Sequence, residues 1–201
     1  IGIPNVICDY IGYSSKRFFQ AYEIPDQIKL KYQSDLLFIG SNYSDSSGYK
    51  RTQFLSAFNG LNLKIFGTKE WNKWLSYFPE LQPHFNLMTG RISNEELNFA
   101  MNCTKIYPID QNTGIVNGIH LRVFETIGAG TLPVMEWRKD IDEVFGELLP
   151  VIRNYNESKE IVSHYIHNVQ SRMDTISKLK NLIENKYTPQ LYVNRIIEKL
   201  S

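Results

Sequence analysis

Two hydrophobic patterns take turns along the 201-residue chain. Short, mainly apolar runs occur at 35–40 (DLLFIG), 61–67 (LNLKIFG), 106–110 (IYPID), 132–136 (LPVME) and 148–153 (LLPVIR), with a less marked one at 85–88. Between and after them, apolar residues recur at three- and four-residue spacing, over 49–59, 93–103, 120–128, 157–169, 175–184 and 190–200. Strands covered on both faces give runs of the first kind, and crossover helices give the second. The alternation predicts an α/β fold, a Rossmann-like parallel sheet flanked by helices, with a group of helices closing the chain. Ser93 and Glu96 are spaced as a capping box at the start of the second helix. Residues 42–48 (NYSDSSG) read as a polar loop, Asp45 included. Residues 1–34 show no clear period and read as a linker or the remnant of a preceding N-terminal domain, leaving 35–201 as the Rossmann-like unit.

The chemistry is concentrated in 106–145. A strand there runs to Asp110, a loop follows, and a helix opens near 117–120. A helix that begins at the carboxyl edge of a sheet offers free N–H groups and the positive end of its dipole, which suits a diphosphate. Arg122, in the first turn, adds a guanidinium able to contact two phosphate oxygens. His120 can donate to phosphate from the helix start or face solvent, and Asn117 can cap the helix or touch a ligand. Glu125 shares a helix face with Arg122, so its carboxylate can accept both hydroxyls of a ribose or simply pair with the guanidinium. Gly40, followed by Ser41, and Gly67 end two of the strands, where glycine lets a ligand or a helix approach the backbone.

Composition narrows the partners. Lys plus Arg (22) nearly balance Asp plus Glu (21), and no basic run is present, which argues against nucleic acid. The two cysteines, Cys8 and Cys103, are far apart and suit a reducing, cytoplasmic setting better than a disulfide. No apolar stretch approaches the roughly 20 residues of a membrane helix. His84, His164 and His167 lack metal-ligand spacing, so no metal is expected. Trp71, Trp74, Tyr77 and Phe78 recur at helical spacing, which reads as core packing or else as a stacking platform. Asp140, Asp142 and Glu143 suit the start of a further helix.

The order Asn117-Gly118-x-x-x-Arg122-x-Phe124-Glu125-Thr126-x-Gly128-x-Gly130-Thr131, followed by an apolar strand and then Asp-Ile-Asp-Glu-Val-Phe at 140–145, resembles the C-terminal domain of GT-B glycosyltransferases. It is most similar to the spore-maturation-protein (CgeB-type) branch, which shares the Arg-x-Phe-Glu signature, an opening strand like DLLFIGS followed by Arg51, and a closing helix like the one after Tyr187. The resemblance spans about 35–200 and implies a donor-binding half that handles a nucleoside-diphosphate sugar. Glu125 would then grip the donor ribose, with Gly118, His120, Gly40, Ser41 and Gly67 around the donor and its base near the strands ending at Gly67 and Asp110. Asn117 stands where the broader group carries a second glutamate, and an amide cannot supply its charge. The acceptor, a glycan, lipid or protein, is not specified. The catalytic base is expected from an N-terminal domain of the same enzyme, so no catalytic residue is assigned here. A sugar-nucleotide epimerase or phosphorylase, or a non-catalytic binding module, would use the same architecture.

Overall fold

The computed structural model describes residues 9–114 and 117–200, so Cys8 lies outside the described residues. In chain order it contains α1 (Asp26–Tyr32), β1 (Ser34–Ile39), α2 (Ser46–Ser56), β2 (Leu63–Gly67), α3 (Trp71–Leu75), β3 (Phe85–Leu87), α4 (Asn94–Asn102), β4 (Thr104–Ile109), α5 (Leu121–Gly128), β5 (Leu132–Glu136), α6 (Lys139–Phe145), β6 (Val151–Ile152), α7 (Ser158–His167), α8 (Val169–Lys186) and α9 (Pro189–Leu200). The six strands form one sheet in the order β3-β2-β1-β4-β5-β6, and every pairing is parallel. All five residues of β5 are buried, as expected for a strand with helices on both faces.

The connection reverses direction between β1 and β4. From β1 the chain steps outward to β2 and β3, then returns to β4 and steps the other way to β5 and β6. Ligands of open α/β sheets sit outside the carboxyl ends of the strands at such a reversal. Here the backbone ladder also opens. β1 and β4 pair only at Ser34↔Thr104 and Leu36↔Ile106. The next residues in that register are Phe38 and Pro108, and proline has no N–H to donate. Past that point the buried Tyr107 hydroxyl takes over, accepting from Ile39 N–H and donating to Ile39 C=O, each at 3.1 Å.

Several elements differ from the pattern-based expectation. The segment 46–48 is helical rather than loop: α2 starts at Ser46, with Asp45 as its N-cap accepting from Ser47 N–H at 2.9 Å. The run at 148–153 yields only a two-residue strand, Val151–Ile152, because Gly146–Leu148 is a 3-10 turn and Pro150 follows it. The 175–184 pattern belongs to a longer helix, α8, capped by Asn168. Ser93 caps α4, but Glu96 does not close a capping box, since its carboxylate is taken by Tyr32 and Lys31. Before β1, Tyr13 and Phe18 are buried, Phe19 N–H donates to Asn98 of α4 at 2.9 Å, and Asp9 holds Arg195 of α9 at 2.6 Å.

Candidate functional site

A cleft of about 210 Å³ opens at the carboxyl ends of β1 and β4, at the reversal point. Gly40, Ser41, His120 and Arg122, all singled out from the sequence, line it, together with Arg51 and Asp110. One wall is the segment leaving β1. Its carbonyls are fixed from below: Gly40 accepts the Trp71 indole N–H at 2.9 Å, and Tyr43 accepts that of Trp74 at 2.5 Å. The approach to α2 is close enough that a Cβ on Gly48 would lie 2.1 Å from the Tyr43 carbonyl oxygen. Trp71 and Trp74 are therefore buried, as core packing requires, and they also hold the cleft wall in place. Tyr77 is exposed.

Arg51 forms the floor. It is only 9% exposed, and its Nε donates to Asp110 Oδ2 at 2.9 Å while Nη1 donates to the Ser41 carbonyl. The guanidinium lies 4.7 Å from the Tyr43 ring centroid and 5.4 Å from that of Phe38. A cation so wedged is preorganised to meet an anion without reordering.

The opposite wall is the start of α5. The helix begins one residue later than the sequence suggests: His120, not Asn117, is the N-cap, and its Nδ1 accepts Arg122 N–H at 3.0 Å. Asn117 lies three residues upstream, exposed, in the loop before the cap. Gly118 is half-buried there, and its carbonyl faces Gln111 Nε2 at 3.5 Å. Accepting through Nδ1 requires the neutral ring, which leaves Nε2 carrying the proton. The ring's partial burial in the cleft wall, with Arg122 and Arg51 nearby, holds the His120 pKa below its ordinary value.

Glu125 and Arg122 do pair, Oε2 to Nη1, at 2.8 Å. The pair is not the solvated surface contact that i,i+3 spacing alone would give, because both side chains are mostly buried. Burial raises the Glu125 pKa, against the opposing pull of Arg122 and Arg17. A mostly buried carboxylate beside the cleft, with its ionisation disfavoured by burial, is a candidate ligand group as well as a partner of Arg122. Gly67 is not brought to the cleft. The space its missing Cβ would fill belongs to Trp71, whose indole nitrogen would lie 2.2 Å away, so glycine there serves helix packing. Among the described residues no group of three or more His, Cys, Asp or Glu could hold a metal ion.

A glycosyl transferase-like family profile matches residues 50–198. The chain belongs to that family. No curated protein matches its sequence. Among solved structures, the C-terminal domain of a group 1 glycosyl transferase (LpcC) from Francisella tularensis superposes with a TM-score of 0.61 at 11% identity, covering 88% of this chain and 99% of that one. HepE from Anabaena, in complex with UDP and glucose, gives 0.70 at 12% identity over 94% of this chain and 55% of that one. A trehalose-6-phosphate structure from E. coli, bound with UDP-2-fluoro glucose, gives 0.66 at 11% over 94% and 50%. The chain thus has the fold of a GT-B C-terminal domain and spans about half the length of the last two. In this glycosyl transferase-like chain no helix among the described residues is long and apolar enough to cross a membrane.

Sequence reasoning missed the charged network on the far side of Arg51. Glu136, at the end of β5, accepts from Lys50 Nζ at 2.7 Å, from Gln111 N–H at 2.8 Å and from the Tyr155 hydroxyl. Lys50 also donates to the Gln111 carbonyl at 3.0 Å. The available signal was a glutamate closing an otherwise apolar strand, a residue type that is seldom buried unpaired.

Proposed function

We propose that this chain is the donor-binding half of a GT-B glycosyltransferase and that a nucleoside-diphosphate sugar occupies the cleft between the end of β1 and the start of α5. The observation that carries the reading is that Arg51, on the floor, and Arg122, on the α5 wall, line one cleft at the sheet's reversal point, with Glu125 one turn into α5. Two guanidiniums and a helix start suit a diphosphate. Glu125, released from Arg122 when that side chain turns to phosphate, would accept the ribose hydroxyls. His120 Nε2–H supplies a further donor. As the sugar departs, these groups would stabilise the charge developing on the diphosphate, with no metal required.

The Arg-x-Phe-Glu signature at 122–125 supports the spore-maturation (CgeB-type) branch as the subfamily. Acceptor and catalytic base would come from a second domain facing the cleft, and a cytoplasmic setting fits the two widely separated cysteines. Being half of the catalytic cleft, the chain alone should bind donor nucleotide and show little sugar transfer. Thermal denaturation in the presence of uridine, guanosine, cytidine and thymidine diphosphates tests this. One of them at 100 times its Kd should add about 2.7 kcal/mol of stability. No stabilisation by any of the four would count against the reading.

A further inference from the structure

The donor cleft is a gap in the sheet, so something other than the backbone ladder must keep its walls at a fixed separation. β1 and β4 stop pairing at Leu36↔Ile106, ahead of Pro108. Two consecutive residues of α2 reach across from the β1 side. Arg51 binds Asp110 Oδ2 at 2.9 Å, and Lys50 binds Glu136 Oε2 at 2.7 Å. Asp110 and Gln111 are themselves consecutive, directly after β4. Gln111 is held by both of its backbone groups, its N–H by Glu136 and its C=O by Lys50. The Glu136 carboxylate is nearly buried and also receives the Tyr155 hydroxyl, so its geometry is fixed from three sides. Neither Lys50 nor Glu136 lines the cleft.

We propose that Lys50 and Glu136 are positioning residues that set the width of the donor cleft, by clamping the segment that carries Asp110 and, through Asp110, Arg51. The inference rests on the donor reading above. A nucleoside diphosphate must span both walls, from Gly40 and Arg51 to the start of α5, whereas a nucleoside without phosphates can be held by one. A change in width therefore penalises the first ligand more than the second. Removing one partner of a buried pair also leaves the other charge uncompensated, which drives the segment to rearrange.

The test uses the 201-residue chain with Lys50→Met, which keeps the apolar stem, and Lys50→Arg, which keeps the charge; Glu136→Gln breaks the same clamp from the other side. Uridine, guanosine, cytidine and thymidine diphosphates, each beside its nucleoside, are titrated calorimetrically, and amide hydrogen exchange is followed at 39–42. Lys50→Met and Glu136→Gln should raise the Kd of the bound diphosphate about tenfold and that of its nucleoside by less than about twofold. Lys50→Arg should restore the wild-type ratio. Amides at 39–42, on the β1 wall, should exchange faster in both clamp variants. Equal losses for the two ligands, no loss, or unchanged exchange at 39–42 would overturn the clamp. If the wild-type chain binds no diphosphate, the donor reading fails, and exchange at 39–42 alone decides whether the clamp couples the two walls.

Discussion

Glu125 is the residue on which site and salt bridge diverge most clearly. Its raised pKa means that the folded chain binds a proton there more tightly than the unfolded chain does. Ionising Glu125 therefore costs stability, a cost absent below the ordinary carboxylate range and complete once pH exceeds the raised native value. Glu125→Gln should accordingly leave thermal stability at pH 7 unchanged or slightly higher. The same change should weaken nucleoside diphosphate binding by roughly 10- to 100-fold, since hydrogen bonds to a charged group contribute about 1.5–3 kcal/mol. Calorimetry on the variant checks both; a drop in stability with unchanged affinity would make Glu125 a structural partner of Arg122. His120 gives the opposite sign. Its depressed pKa favours the neutral ring, so the stability it contributes is present above its unfolded pKa and is lost as pH falls through the lower folded one. His120→Asn supplies a cap acceptor that does not titrate, and melting curves between about pH 7 and 5 should lose that acid-side decline. The Arg122 and Glu125 positions were legible from one-turn spacing and from the motif they resemble. The cap was not, because histidine is an uncommon N-cap and Asn117 a favoured one.

At the level of elements, the strands that pair along most of their length were readable from apolar runs alone: β1, β2, β4 and β5 all sit within two residues of the expected bounds. The short β6 was overestimated, since an apolar run does not distinguish a strand from a buried turn ahead of Pro150. The start of α2 does not read as helix in the sequence because Ser46, Ser47 and Gly48 are poor helix formers. Tertiary contact overrides that preference, and Gly48 is the reason it can. With no Cβ there, the β1 wall folds down onto α2 and Trp74 reaches the Tyr43 carbonyl. Gly48→Ala gains helix propensity yet places a methyl against backbone and indole at once. We expect a net loss of about 1–3 kcal/mol in urea denaturation, the usual range for overpacking. A stabilised variant would show that the wall is not seated where the geometry puts it. Pro108 was equally visible in the sequence, but its consequence was not. Its missing donor matters only because β1 is its neighbour, which strand order alone reveals.

At the scale of the whole molecule, one end of the sheet gathers nearly all of the unusual chemistry. The buried Arg51–Asp110 pair, the Lys50–Glu136 clamp, the His120 cap and the Glu125 carboxylate all lie around the carboxyl ends of β1, β4 and β5. The long-range pairings behind this were hidden from the sequence, since Lys50 meets Glu136 across 86 positions and Arg51 meets Asp110 across 59. We propose that this end holds a nucleoside diphosphate. The most direct measurement is a backbone amide NMR map of the chain during titration with the nucleoside diphosphate that stabilises it most. Shift changes should concentrate at 38–41, at Arg51, at 109–111 and at 120–125, while α1, α4 and α9 stay unperturbed. Changes centred on α1 and α4, or none at saturating nucleotide, would contradict that placement.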